Sequence, residues 1–140
     1  MVKSIIKDTF FLSKKSIDAT KEDKQIIIDL EDTLKHYKNS CVGMAANMIG
    51  YNKNIIAIQY NDYFQVLINP IIIKYFGFPF EKEEGCLSLS GKRKAKRYEK
   101  IKVEYLDKEF KKRITTYEGF IAQIIQHEID HLNGIINRVE

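Results

Sequence analysis

The sequence is poor in residues that break or staple a chain: two prolines, Pro70 and Pro79, and two cysteines, Cys41 and Cys86, in 140 residues. With few breakers and no repeat or low-complexity stretch, no linker divides it, and 1–140 is read as one domain. That length buries enough apolar surface to fold without a disulfide or a structural metal. No apolar run approaches the roughly 20 residues that cross a bilayer. The opening residues, Met1 to Asp8, lack the apolar stretch and small-residue cleavage site of a secretion signal. These absences argue against a membrane protein or a disulfide-stapled secreted one. They set the expectation of a reducing cytoplasm, where a thiol serves catalysis, metal binding or packing. Charge is also undemonstrative. The net value of +4 suits work near a ribosome surface but identifies no partner, and no direct nucleic-acid motif is present. The densest basic run, Lys92 to Arg97, is read as a solvated loop.

What is present points to an α+β fold. Thr20 with Asp23 three residues on forms a capping box, and Ile27, Leu30, Leu34 and Tyr37 recur at helical spacing. This helix is expected to end near Asn39-Ser40, with His36 off the apolar stripe and facing solvent. Asn54 to Tyr60 and Phe64 to Ile68 read as strands around the turn-forming Asn61-Asp62, and Ile71 to Phe76 reads as another after Pro70. Lys100 to Tyr105 alternates, with Ile101, Val103 and Tyr105 on one face and Lys100, Lys102 and Glu104 on the other. Asp107-Lys108-Glu109 turns the chain toward a hairpin partner at Lys112 to Tyr117. The last element is a helix from about Glu118 to Leu132, stopped by Asn133-Gly134.

Histidine is scarce, and its placement is informative. Two of the three histidines lie in Gln126-His127-Glu128-Ile129-Asp130-His131. Residues i and i+4 lie one above the other on a helix, so both imidazoles can reach one ion. Glu128 sits about 100° around the helix from His127. It can approach an activated water without being a ligand, as a carboxylate base requires. A catalytic metal of this type takes three protein ligands and keeps one position open. The metzincin scheme places a third His downstream, but position 137 is Asn. Glu140 is terminal and a poor donor. The third ligand is therefore expected upstream, with Cys41, Cys86 and His36 as candidates.

Three segments, in order, then carry a resemblance: Val42-Gly43-Met44-Ala45-Ala46-Asn47-Met48-Ile49-Gly50, Glu84-Gly85-Cys86-Leu87-Ser88, and Gln126 to His131 continuing into Leu132-Asn133-Gly134. Together they resemble the peptide deformylase family, whose pattern is Gly-x-Gly-x-Ala-Ala-x-Gln, Glu-Gly-Cys-Leu-Ser and Gln-His-Glu-x-x-Asp-His. The likeness runs from the first helix to Asn137. It implies mixed, mainly antiparallel sheets around a C-terminal metal-binding helix. It implies Cys86, His127 and His131 as ligands of one divalent ion, typically Fe(II), with Zn, Ni or Co able to replace it. Glu128 would be the general acid/base, and the Leu87 N–H would hold the substrate carbonyl oxygen. Glu84 and Arg97 match a family ion pair beside the Cys-bearing strand. The implied reaction removes formate from N-formyl-methionyl peptides of nascent chains, with the ribosome as a further partner. Gly43, Met44, Met48, Phe120 and Ile124 are the expected substrate-binding residues, and Cys41 is an incidental thiol.

The sequence departs from the pattern where it matters. Cys41 replaces the first Gly, and Met48 stands at the family's Gln, whose amide donates to the formyl oxygen. A thioether has no donor. Either the site is rearranged so that water or another side chain, with Asn47 and Gln123 as the nearby polar candidates, supplies the donor, or the enzyme is slower, or the fold serves another small amide. The alternative reading is a deformylase-like paralogue with weak or no activity, which binds metal or formyl-peptide. A zincin-type peptidase is a third class; Cys86 argues against it, because thiolate ligation makes the ion less Lewis-acidic and suits a reactive formyl group better. Ser90 replaces a common Pro, and the chain stops soon after the metal helix.

Overall fold

The computed structural model describes residues 1–88 and 91–135; Ser90, Asn137 and Glu140 lie outside them. The order of elements is α1 (Thr9–Leu12), α2 (Lys24–His36), β1 (Gly43–Ala45), β2 (Ile55–Tyr60), β3 (Tyr63–Phe76), β4 (Phe80–Gly85), β5 (Lys92–Arg97), β6 (Lys100–Leu106), β7 (Lys112–Glu118) and α3 (Phe120–Leu132). Five strands form one sheet in the order β1-β2-β3-β6-β7, and β4 with β5 forms a separate ribbon. Every pairing between these strands is antiparallel. The α+β expectation therefore holds, with the C-terminal helix packed on β1 and β2.

The helices follow their sequence signals closely. Thr20 caps a short 3₁₀ turn at Lys21–Asp23, its backbone N–H donating to Asp23 Oδ2 at 2.8 Å. The chain then runs directly into α2. Ile27, Leu30 and Leu34 are buried on the sheet, and His36 is exposed. The helix ends three residues before Asn39, because the Tyr37 N–H already bonds back to Thr33 and Leu34. Gly134 ends α3 with φ +74°. A Cβ there would overlap the Ser13 carbonyl, so the left-handed turn and the close approach both select glycine.

Two strand readings change. Phe64–Ile68 and Ile71–Phe76 belong to one continuous β3, with Pro70 inside it. The register against β6 slips between Ile68 and Ile71 and again between Ile72 and Lys74. Each slip is a bulge of one extra residue, and a bulge tolerates a proline that donates no ladder hydrogen bond. Asn69, at φ +51°, stabilises the first bulge by exchanging side-chain hydrogen bonds with Ala19 N and O at 2.8 and 3.1 Å.

The basic run Lys92–Arg97 is strand β5, not a loop. Its charges conceal a period of two. Lys92, Lys94 and Lys96 are exposed, whereas Ala95 and Arg97 are buried against the body. Opposite them on β4, Glu83 is in register with Lys94 and Glu81 with Lys96, the favourable cross-strand arrangement of opposite charges.

Candidate active site

Four parts of the fold converge on one cleft of about 580 Å³. β1 and the 3₁₀ turn after it (Ala46–Ile49) supply Gly43 and Met48. The end of β4 supplies Glu84, Cys86 and Leu87, and α3 supplies Phe120, Gln123, Ile124, His127 and Glu128. The loop from Lys38 to Val42 closes the rim.

Cys86, His127 and His131 bring their donor atoms within 4.8 Å of one another. Cys86 Sγ stands 3.3 Å from His131 Nε2, which stands 3.3 Å from His127 Nε2. Ligands about 2.0–2.3 Å from a tetrahedral ion are about 3.3–3.6 Å apart. Both separations from His131 Nε2 therefore match coordination spacing, and one thiolate with two imidazoles suits a divalent transition metal. Of the other two candidate ligands, His36 lies exposed against the edge of Tyr37. Cys41 does line the cleft. Its Sγ donates to the Gly43 carbonyl at 2.8 Å, and burial, with Glu128 next in importance, pushes the thiol up to about 12.

The candidate ligands are held from behind. His127 Nδ1 lies 2.8 Å from Glu84 Oε1, which fixes the ring with Nε2 toward Cys86 and His131. Glu84 also receives Arg97 Nε and Nη2, at 2.9 and 2.6 Å. Arg97 in turn donates to Asp130 at 2.8 Å. Burial opposes the charge on Glu84, but the hydrogen bonds from His127 and Arg97 win and hold its carboxyl at about 2. His131 is neutral: burial and the neighbouring His127 depress it to about 3. Two further amides lock α3 in place. Gln126 donates to Tyr98 O and accepts from Tyr98 N, both at 2.8 Å, and Asn47 donates to the His131 carbonyl at 2.8 Å.

Glu128 is 3% exposed, and its Oε1 has no hydrogen-bond partner. Burial raises its pKa to about 7, near where a general base works best. Gly43 makes room for it. A Cβ at Gly43 would lie 2.6 Å from Ile124 Cγ2 and 2.9 Å from Glu128 Oε2. Gly43→Ala is expected to destabilise the protein by about 1–3 kcal/mol, as overpacking does, and to displace Glu128. Thermal unfolding alongside turnover checks this; an unchanged melting temperature and rate would mean that the cleft wall simply yields.

The expected substrate residues divide. Gly43, Met48, Phe120 and Ile124 line the cleft with Leu87. Met44 does not: it is fully buried, paired in register with Ala57 and turned into the core. Neither proposed replacement donor is idle. Asn47 gives one amide hydrogen to the His131 carbonyl at 2.8 Å, and Gln123 gives one to Glu84 Oε2 at 3.0 Å. Met48 itself accepts the Ala45 N–H through Sδ at 3.4 Å. Reading the sequence missed Asp130 as the second anchor of Arg97, and Gln123 as a partner of Glu84. The one signal for Asp130 was its position inside the family motif.

Known proteins resemble this chain in sequence and fold. The sequence model of the polypeptide deformylase family matches residues 5–139. A peptide deformylase of Clostridium beijerinckii is 52% identical over 136 residues, covering 97% of this chain and 99% of that protein. One from Thermoanaerobacter pseudethanolicus is 40% identical over 127 residues, covering 89% and 79%. Among solved structures, the peptide deformylase of Thermotoga maritima superposes with a TM-score of 0.89 at 29% identity, over 100% of this chain and 99% of that one. An actinonin-bound class I type b peptide deformylase from Acinetobacter baumannii gives 0.88 at 29% identity, with the same coverage.

Proposed function

Because the chain belongs to the polypeptide deformylase family, we propose that its cleft removes the formyl group from N-formyl-methionyl peptides of nascent chains, with Glu128 as the acid/base and Cys86, His127 and His131 as the metal ligands. The observation that carries this reading is the pairing of an S/N/N donor set at coordination spacing with a buried carboxylate on the same helix, both opening onto one cleft.

When bound, the divalent ion supplies Lewis acidity toward water and toward the formyl carbonyl. The remaining work falls to the chain. The substrate's methionine side chain enters between Phe120 and Ile124, beside Gly43 and Met48. The Leu87 N–H donates to the formyl oxygen as negative charge builds there. Glu128 takes a proton from the attacking water and returns it to the amine nitrogen as the C–N bond breaks, leaving formate and a free N-terminus. Its poise near 7 favours both halves of that exchange. The ion is proposed to be Fe(II) in the cell, with Zn, Ni or Co able to take its place. The working location is proposed to be the cytoplasm, beside the ribosome where formylated chains emerge. No helix among the described residues is long and apolar enough to cross a membrane.

The second reading, a paralogue with weak or no deformylase activity, rests on Met48, whose sulfur is occupied by Ala45 and donates nothing. One assay separates the two. Protein purified anaerobically and loaded with Ni(II) or Fe(II) is expected to release formate from a formyl-Met-Ala-Ser peptide, and to stop when a chelator strips the ion. Metal-loaded protein that releases none would favour the second reading.

A further inference from the structure

Gln123 lies one turn before His127 on α3, lines the cleft, and is 9% exposed. The pattern that identifies the family does not include it. Yet its side chain joins the group of donors that surrounds Glu84. Each carboxylate oxygen there takes two hydrogen bonds. Oε1 receives His127 Nδ1 and Arg97 Nη2, and Oε2 receives Arg97 Nε and Gln123 Nε2. Arg97 comes from the ribbon strand β5, so it holds Glu84 from the ribbon side. Gln123 and His127 come from α3 and hold it from the helix side, one on each oxygen.

This geometry has a consequence for His127. Arg97 grips both oxygens from β5, so the Glu84 carboxylate is already fixed relative to the ribbon. Gln123 adds a grip from α3 on the oxygen that His127 does not touch, one turn earlier on the same helix, and so sets the carboxylate plane relative to α3 as well. The His127 ring then has one orientation, with Nε2 at 3.3 Å from His131 Nε2. Ligand imidazoles depend on such partners behind them, and removing one typically costs 10- to 100-fold in metal affinity.

We infer that Gln123 is a positioning residue for the metal: its amide fixes Glu84, and through Glu84 the His127 imidazole. The inference rests on the metal site proposed above.

The test reads metal retention, with no substrate present. Wild type, Gln123→Met and Gln123→Arg are loaded with Zn(II), and transfer of the ion to a chromogenic chelator is followed. Met keeps the length and bulk of Gln without a donor, and Arg keeps a donor toward Glu84. Gln123→Met is expected to lose zinc about 10-fold faster than wild type, at the low end of the effects of such partners, and Gln123→Arg to recover most of the difference. Melting temperatures of the metal-free proteins show whether each variant folds. The NMR signal of the His127 Nδ1–H in the zinc form, expected to broaden in Gln123→Met, reports the ring directly and holds even where the variant is less stable. Equal zinc transfer from wild type and Gln123→Met, with the His127 signal unchanged, would overturn the inference and leave the metal site standing. Wild type that holds no zinc would overturn both.

Discussion

Glu128→Gln is expected to lower formate release by about 10²- to 10⁴-fold, the contribution of a positioned proton-transfer group, while the protein keeps its metal. The argument starts from burial. Glu128 sits beneath the cleft with one oxygen lacking any hydrogen-bond partner and the other against Gly43. A buried carboxylate with no partner is costly unless a bound molecule supplies one. The proposed partner is the attacking water. Glutamine preserves shape and removes the basic oxygen, so the effect is expected in kcat rather than in KM or metal content. Turnover and metal stoichiometry measured on the same preparation check this. A variant that turns over within a few-fold of wild type would show that the proton goes elsewhere, and would remove the strongest support for the proposed chemistry.

Met48→Gln is expected to raise kcat by about 10²-fold, the lower end of what one oxyanion donor is worth in another hydrolase. Met48 lines the cleft, is 1% exposed, and accepts the Ala45 N–H. Glutamine is similar in length. Its Oε1 can take over the Ala45 N–H, which leaves the NH₂ group to face the cleft, where charge develops on the formyl oxygen. Because that hydrogen bond strengthens only as the charge forms, KM is expected to change little. The comparison is a paired measurement of kcat on the two nickel-loaded proteins. An unchanged kcat in a folded variant would mean that this cleft completes its oxyanion site without the family amide.

The parts legible in the sequence share a physical property: each is set by local spacing. Lys100–Leu106 showed its alternation because one face is buried and the other carries charge. His127, Glu128 and His131 were legible because helical geometry alone brings two imidazoles to one point. The parts that were not legible depend on approach from afar. β5 alternates as strictly as β6, but its inward positions include Arg93 and Arg97, and an arginine gives no sign that it is buried until Glu84 and Asp130 neutralise it. β3 looked like two strands because Pro70 ends a regular ladder, and only the bulge against β6 lets it continue. Met44 lies on a strand of three residues, too short for a period of two to show which side faces the cleft. The hydrogen bond from Gln123 to Glu84 was not legible, since the two are 39 residues apart in the chain.

The separation of the β4–β5 ribbon from the main sheet changes what the ion's binding strength measures. Cys86 directly follows the ribbon strand β4, while both histidines belong to α3. An ion held by all three ties the ribbon to the helix, in parallel with the Arg97–Asp130 ion pair and the Gln126–Tyr98 amide contacts. Its observed affinity is therefore an intrinsic coordination strength reduced by the free energy of keeping the ribbon docked, and docking and binding favour one another reciprocally. Residues that touch no ligand, such as those holding the ribbon strands together, thus enter the dissociation constant of the metal. Metal hunger in the cell and loosening of the ribbon become two descriptions of one equilibrium.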